Sequence, residues 1–421
     1  MSRPKFLVVG GGVIGVSCAY ALARRGADVQ VLERDTLGAG ASGGNAGTVS
    51  AGHPPLNRPG RIVQALTQML DPASPLFLPP RWDPKLWQWL LGFGRYCTHE
   101  HVESCMQVMA PLGMDALHLF DDLIEAEGIE CGYKTEGYFE VCSTQKGLVQ
   151  VKYESSIIER HGYHPQTVSG DELRDREPAF GRDMIGGMFY PEARTLDPLR
   201  FLIELADRSR RLGVSINEGA SVSEVTTAGG RATGVRLSNG DVLEADSVVL
   251  ATGPFSLDLA ARVGTRLPVQ PGKGYHRDIE IRTGGAPPLG VACVLSETSV
   301  FCTPMDGFVR FAGTMEFSGE NDVMRRARLE QLTMAGRLCF PDLGHAAPSS
   351  EWCGLRPMAV DGMPIVGALD GIEDLAVATG HGMLGLTLGP VTGEMIANQV
   401  FGEEDVRLQA FSPSRFQGFD D

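Results

Sequence analysis

Hydrophobic and polar positions along this chain follow two rhythms, and each rhythm predicts its own elements. Lys5–Val9 (KFLVV) is a short, nearly continuous apolar run, the pattern of a strand buried on both faces. A helical pattern follows through Ala23, and Val29–Glu33 predicts a second strand that ends on an acid. Residues 84–127 repeat at helical spacing through Leu86, Trp87, Leu90 and Leu91, then through Leu112, Leu117, Phe120 and Leu123. Trp87 and Trp89 are expected in the core or at an interface. Gly137–Cys142 and Gly187–Tyr190 predict strands. Asp197–Leu212 predicts an amphipathic helix with Pro198 at its first position. Val214–Asn217, Gly234–Leu237 and Ser247–Ala251 predict three more strands, the second leading into an Asn239-Gly240 hairpin turn.

The first apolar stretch is broken directly after its strand by Gly10-Gly11-Gly12-Val13-Ile14-Gly15. Gly10 suits a tight turn, Gly12 a close backbone approach to a pyrophosphate, and Gly15 close packing of helix on strand. The helix that opens at Val13 and Ile14 would present free N–H groups and a positive dipole to those phosphates. Glu33, next to Arg34, stands 18 positions after Gly15, where a carboxylate can accept hydrogen bonds from ribose hydroxyls. Strand, helix, second strand and acid together predict a bound adenine dinucleotide, of either the nicotinamide or the flavin kind. The same glycines interrupt an N-terminus that otherwise imitates a signal peptide, with Arg3 and Lys5 before an apolar run, so secretion is not expected.

Prolines crowd residues 52–84 and predict an irregular excursion from the first domain. Residues 262–351 form a second strand-rich block, and glycine density rises again from Cys353, at 354, 362, 380, 382 and 385. A simple doubly wound sheet would not return to glycine-rich loops so late. The expected fold is therefore α/β, with a Rossmann-type domain of residues 1–60, 166–261 and 352–421 interleaved with a second domain of residues 61–165 and 262–351.

Composition narrows the partners. Among 421 residues, 37 are Lys or Arg and 52 Asp or Glu, a formal charge of −15 that would repel a nucleic-acid backbone. Nine cysteines, an odd number without a Cys-x-x-Cys pair, indicate neither a disulfide framework nor a zinc site and suit a reduced cytoplasmic compartment. No segment offers the roughly 20 apolar residues of a spanning helix. Attachment to the cytoplasmic membrane surface and assembly into a homo-oligomer stay open.

A second glycine loop, Gly38–Gly47, follows the acid-ended strand and carries Ser42, Asn45 and Ala46. Small side chains and free backbone N–H groups let such a loop wrap an anionic or planar group, although a flexible linker has the same composition. Together with Gly354-Leu355-Arg356-Pro357-Met358-Ala359-Val360-Asp361-Gly362 and Ala378-Thr379-Gly380-His381-Gly382-Met383-Leu384-Gly385, it resembles the FAD-dependent amino-acid oxidoreductases. Within them the chain is most similar to the bacterial D-amino acid dehydrogenase small-subunit group and its D-hydroxyproline dehydrogenase relatives. The likeness spans nearly the whole chain, including the Trp-rich helix at 86–91 and Lys273-Gly274-Tyr275.

The resemblance implies non-covalent FAD and a second, α+β domain on a mostly antiparallel sheet that binds a small amino acid. Arg356 would pair with the substrate carboxylate, a structural ion pair being the alternative, and Tyr275 and His276 would line the pocket. Gly47, Val222, Thr252, Gly253 and the loop Gly380, His381, Gly382, Met383, Leu384 and Gly385 would contact the cofactor. Gly389-Pro390 would open a helix over Val391–Val400 aimed at the flavin. His53 would reach the flavin edge or face solvent. The cysteine that carries covalent flavin in some relatives falls here at Gly354, with Cys353 beside it. The implied reaction is oxidation of a D-configured or cyclic amino acid to an imine or 2-oxo acid. Its electrons would pass to a quinone, an electron-transfer protein or O2. A glycine or sarcosine-type oxidase and a non-catalytic flavin subunit are the alternatives.

Overall fold

Strand pairing divides the protein between a parallel and a mostly antiparallel sheet. The computed structural model describes residues 3–50, 52–280, 289–341 and 347–417. In the first sheet five strands run parallel in the order Leu375–Thr379, Ser247–Leu250, Lys5–Val9, Asp28–Leu32 and Ser215–Asn217, and Ile365–Ala368 adds an antiparallel edge. Parallel strands need cover on both faces, and Leu7, Val8, Val31, Val249 and Val377 are accordingly apolar and fully buried. Helices Val13–Arg24 and Gly385–Val400 cover one face together. They approach closely because a Cβ at Gly393 would lie only 2.4 Å from the Ser17 carbonyl oxygen. A three-stranded antiparallel sheet, Val222–Ala228, Arg231–Leu237 and Val242–Glu244, brings Val225 and Val235 into one apolar cluster with Val248 and Leu250. The second strand is shifted one residue toward the N-terminus from the expected span, so Glu33 is the first residue beyond it.

The large sheet runs Pro348–Ala359, Val269–Glu280, Phe308–Glu316, Val300–Met305, Ala292–Leu295, Tyr138–Cys142, Gly186–Tyr190 and Gln166–Ser169, with Leu76–Phe77 beside Phe308–Glu316. Two of its pairings are parallel and the rest antiparallel, as the resemblance implied. Its membership differs from the expected domain boundaries. Gln166–Ser169 and Gly186–Tyr190 pair into this sheet beside Tyr138–Cys142, so a boundary at 165/166 would cut it. A boundary at 351/352 would likewise divide the single strand Pro348–Ala359. Cross-strand pairing, which has no local sequence signal, decides both points.

Residues 84–127 form two helices, Pro84–Arg95 and His99–Glu127, capped by the side chains of Asp83 and Thr98. Trp89 is buried and its indole N–H donates to the Met358 carbonyl at 3.1 Å, whereas Trp87 is half exposed. Pro198–Arg211 starts as expected, with Asp197 accepting from Leu199 and Arg200 N–H groups. Buried Arg328 donates to the carbonyls of Pro72, Ser74, Pro75 and Met315, which ties the proline-rich excursion to the large sheet.

Candidate active site

The strand Lys5–Val9 ends in a turn that only glycine can make. Gly10 has φ +112°, and a Cβ there would meet the Ala251 carbonyl oxygen at 2.4 Å. A Cβ at Gly15 would lie 1.9 Å from the Gly10 carbonyl oxygen, so the helix rests directly on the turn. At the helix N-terminus no side chain of the preceding residue caps the chain; instead Ser42 Oγ accepts from Val13 N–H at 2.9 Å. The hydroxyl keeps its proton free to donate to an anion at that terminus. Glu33 is held by two backbone donors, Gly11 N–H at 2.6 Å and Asp35 N–H at 2.9 Å. Beside it, the Arg34 guanidinium lies over the Phe255 ring at 4.0 Å.

These groups open into a continuous cavity of about 3010 Å³, several times the roughly 300–1,000 Å³ of a common small-molecule site. Gly10, Gly12, Val13, Ile14, Glu33, Arg34, Ser42, Asn45, Ala46, Val222, Thr252 and Gly253 line it, and so do His53, Arg356, His381, Gly382, Met383, Leu384 and Gly385. Gly15, Gly47 and Gly380 do not. Gly47 packs on the Leu196 carbonyl and Gly380 on Ile365 and Ala359, so both shape loops from behind.

The far loop and the arginine strand are tied together. Gly382 N–H donates to the Pro357 carbonyl at 2.9 Å, and Met358 bridges to His381. The helix after this loop begins at Gly385, not at Val391, and Pro390 lies inside it. Its N-terminus therefore stands directly at the cavity wall, one turn and more earlier than expected. His381 Nε2 meets Thr392 Oγ1 at 3.0 Å, while its Nδ1 is buried without a hydrogen-bond partner among the described residues. Burial pulls its pKa down to about 3, so the ring is neutral.

Arg356 sits opposite Gly272 in the strand pairing, with its guanidinium packed on Gly274. It donates to the Thr314 carbonyl at 2.7 Å and has no carboxylate partner among the described residues. Burial, and then the charge of Arg328, lowers its pKa to about 10, which leaves it cationic at neutral pH but poorly compensated. An unpaired, desolvated guanidinium on a cavity wall is a built receptor for an anion.

Two expected pocket residues are corrected. Tyr275 is fully buried, and its hydroxyl donates to Glu316 at 2.7 Å, away from the cavity wall. His276 also misses the wall: its Nδ1–H donates to the Gly44 carbonyl at 2.8 Å and its ring stacks on Trp352. Arg310, paired with Asp278, donates to the carbonyls of Gly43 and Asn45. His276 and Arg310 thus clamp the second glycine loop onto the large sheet, and His276 acts as a positioning residue.

Residues 5–399 match the family described as FAD dependent oxidoreductase (DAO). The chain belongs to this family. It is similar to a protein named D-amino acid dehydrogenase from Methylobacterium nodulans, 35% identical over 408 residues that cover 94% of this chain and 95% of the relative. A protein of the same name from Vibrio vulnificus is 30% identical and covers 95% and 96%. Among solved structures, the fold matches glycine oxidase from Geobacillus kaustophilus with a TM-score of 0.78 at 22% identity, covering 99% of both chains.

The cavity fits the family's flavin. Its volume, the Ser42-lined helix terminus, the fixed Glu33 carboxylate and the orphaned His381 Nδ1 are what a long dinucleotide with a polar ring system requires. FAD is the cofactor of the chain.

Sequence reasoning missed a polar branch of the same cavity. Glu140 lines it and accepts from the Tyr190 hydroxyl at 3.0 Å. Burial, and then the charge of Glu154, pushes its pKa up to about 7. Glu154 is itself paired with Arg58 at 2.6 Å. His53 Nε2 and the Tyr138 hydroxyl share a hydrogen bond at 2.7 Å, and burial pulls the His53 pKa down to about 4. The available signal was an acid inside the apolar run GYFEVC. Because the folded pKa of Glu140 is raised, its destabilising ionisation sets in as pH rises from the unfolded carboxyl range toward 7. Glu140→Gln is therefore expected to melt a few degrees above the parent at pH 8 and level with it at acid pH. Equal melting temperatures at pH 8 would mean that the ionised carboxylate is already solvated or paired.

Proposed function

We propose that the chain dehydrogenates a D-configured or cyclic amino acid, of the D-proline or D-hydroxyproline type. The observation that carries this reading is Arg356, a desolvated cation with no acid partner among the described residues, in the cavity that begins at the dinucleotide fingerprint. Thr314 presets the orientation of the guanidinium, and the remaining N–H groups hold the substrate carboxylate by parallel hydrogen bonds. That grip fixes Cα, so orientation supplies much of the rate. When bound, FAD supplies the acceptor for a hydride from Cα. The large sheet and the 52–60 loop shape the substrate pocket, while the parallel sheet carries the cofactor.

Two histidines of the wall, His53 and His381, lose basicity by burial and are poor bases for the amine. In this reading the substrate reacts as its uncharged amine, and turnover rises with pH as that amine deprotonates. The reaction removes two electrons and two protons overall. Water converts an open-chain imine to the 2-oxo acid and ammonia, and a ring nitrogen keeps the product as a pyrroline. The electrons leave for a quinone, an electron-transfer protein or O2. FAD is held without a covalent bond, because Gly354 stands at the attachment position and Cys353 Sγ donates to the Asp322 carbonyl.

The relatives' names support the D configuration. The test is anaerobic bleaching of the yellow protein by D-amino acids, D-proline, cis-4-hydroxy-D-proline, glycine and sarcosine, with a peroxide assay in air. Bleaching by D-configured or cyclic substrates is expected, and the peroxide assay reads whether O2 takes the electrons. A flavin that no amino acid bleaches would sink the proposal.

A further inference from the structure

One strand of the large sheet is irregular at the point where it meets Arg356. Strand Phe308–Glu316 pairs with Val269–Glu280 through Gly313 with Tyr275 and through Glu316 with Lys273. Thr314 and Met315 therefore oppose the single residue Gly274. Such a β-bulge re-aims side chains and is common beside active sites. Within it Thr314 turns at φ +63°. Ser299 and Asp374, the other described residues with positive φ that are not glycine, stand in turns between strands. Thr314 lies inside a strand, and a β-branched residue is poorly suited to this backbone. An outlier of this kind on a cavity wall points to a function that holds it there.

The bulge is built around the guanidinium. The Thr314 carbonyl accepts from Arg356 Nη1 at 2.7 Å, and Met315 Sδ lies 4.0 Å from the same nitrogen. Gly274 leaves the room, since a Cβ there would meet Arg356 Cζ at 2.4 Å. Thr314 is only 5% exposed, and its Oγ1 has no hydrogen-bond partner among the described residues. A buried hydroxyl left unpaired destabilises the fold, and so does the strained backbone beneath it. If the bulge served only to present a carbonyl, glycine would do so without strain. The side chain therefore has a task of its own, and its hydroxyl can donate one hydrogen bond. A carboxylate gripped by a guanidinium fork still has lone pairs to accept it, because its two oxygens offer about four acceptor sites.

We propose that Thr314 is a second substrate-binding residue, whose hydroxyl donates to the carboxylate that Arg356 holds. The assignment rests on the carboxylate reading of Arg356 above. The test is equilibrium dialysis of labelled propionate, a carboxylate without an amine, against the FAD-loaded protein. Thr314→Ala is expected to bind propionate on the order of tenfold more weakly than the parent, and Thr314→Ser to recover most of that loss. With D-proline and a dye, Thr314→Ala should raise KM with kcat little changed, because the bond exists before and during the reaction. Thr314→Gly should lose the same affinity yet melt no lower than the parent, since glycine relieves the strain at φ +63°. Parental propionate affinity in Thr314→Ala would overturn the assignment, and so would a serine variant as weak as the alanine one. A glycine variant that melts well below the parent would make Thr314 structural and overturn it too. Arg356→Ala separates the two readings. Propionate bound normally by that variant, or not bound by the parent, would sink the carboxylate receptor as a whole. Propionate lost from Arg356→Ala but kept by Thr314→Ala would sink only the role of Thr314.

Discussion

Arg356→Ala is expected to lower kcat/KM for every amino-acid substrate by on the order of 10³-fold while the protein stays yellow. The side chain is a buried cation of the cavity wall with no acid partner among the described residues, fixed by Thr314 and packed on Gly274, and these contacts lie away from the dinucleotide end. Arg356→Lys keeps the charge but loses the planar fork, so it should recover part of the rate and little of the substrate orientation. Stability discriminates further. A buried cation without a partner is a burden on the fold, as its lowered pKa of about 10 reflects, so the alanine variant should melt no lower than the parent in the absence of substrate. Dye-reduction kinetics with the flavin content measured alongside check the first point, and thermal scans the second. Normal kinetics in the alanine variant with all substrates would remove Arg356 from carboxylate binding. A large loss of stability would make it a structural residue.

The parts of this site that were legible from sequence are those whose physics is local. A strand, a glycine turn, a helix and an acid lie within one stretch of chain, and Gly15 answers to Gly10 inside that stretch. Arg356 was legible through a motif, but its lack of an acid partner depends on what every neighbouring strand brings to it. Tyr275 and His276 show the opposite case. The strand Val269–Glu280 is buried on both faces along nearly its whole length, so no alternation of polar and apolar residues says which side chains face the cavity. His276 serves the site indirectly, through the Gly44 carbonyl.

The start of the last helix was misplaced for a related reason. Proline favours the first position of a helix, which makes Gly389-Pro390 read as a beginning. Within the observed helix Gly385–Val400, Pro390 is the sixth residue, and its missing N–H removes the bond to the Leu386 carbonyl. Close packing of this helix on Val13–Arg24 through Gly389 and Gly393 holds the extra turn in place. Tertiary contact overrides the local rule, and the helix terminus moves to the cavity wall as a result.

Gly15→Ala should remove the cofactor altogether. The new Cβ would lie 1.9 Å from the Gly10 carbonyl oxygen and 3.0 Å from its carbon, and both atoms are backbone. Gly10 cannot move aside, because it already turns at φ +112° against the Ala251 carbonyl. The strain therefore pushes helix Val13–Arg24 away from the strands Lys5–Val9 and Ser247–Leu250 and carries Val13 N–H and Ser42 out of register with a pyrophosphate. Overpacking of this kind costs roughly 1–3 kcal/mol or more in stability. The loss in FAD affinity is larger, on the order of 10³-fold, because the donors at the helix terminus act together and all shift at once. The purified variant is expected to be colourless and inactive even with added FAD, with its far-UV circular dichroism close to that of the parent. Absorbance at the flavin bands and titration with FAD measure the effect. A yellow variant with parental flavin content would mean that Gly10–Gly15 is not the cradle of the cofactor, and the dinucleotide would have to be sought elsewhere along the cavity.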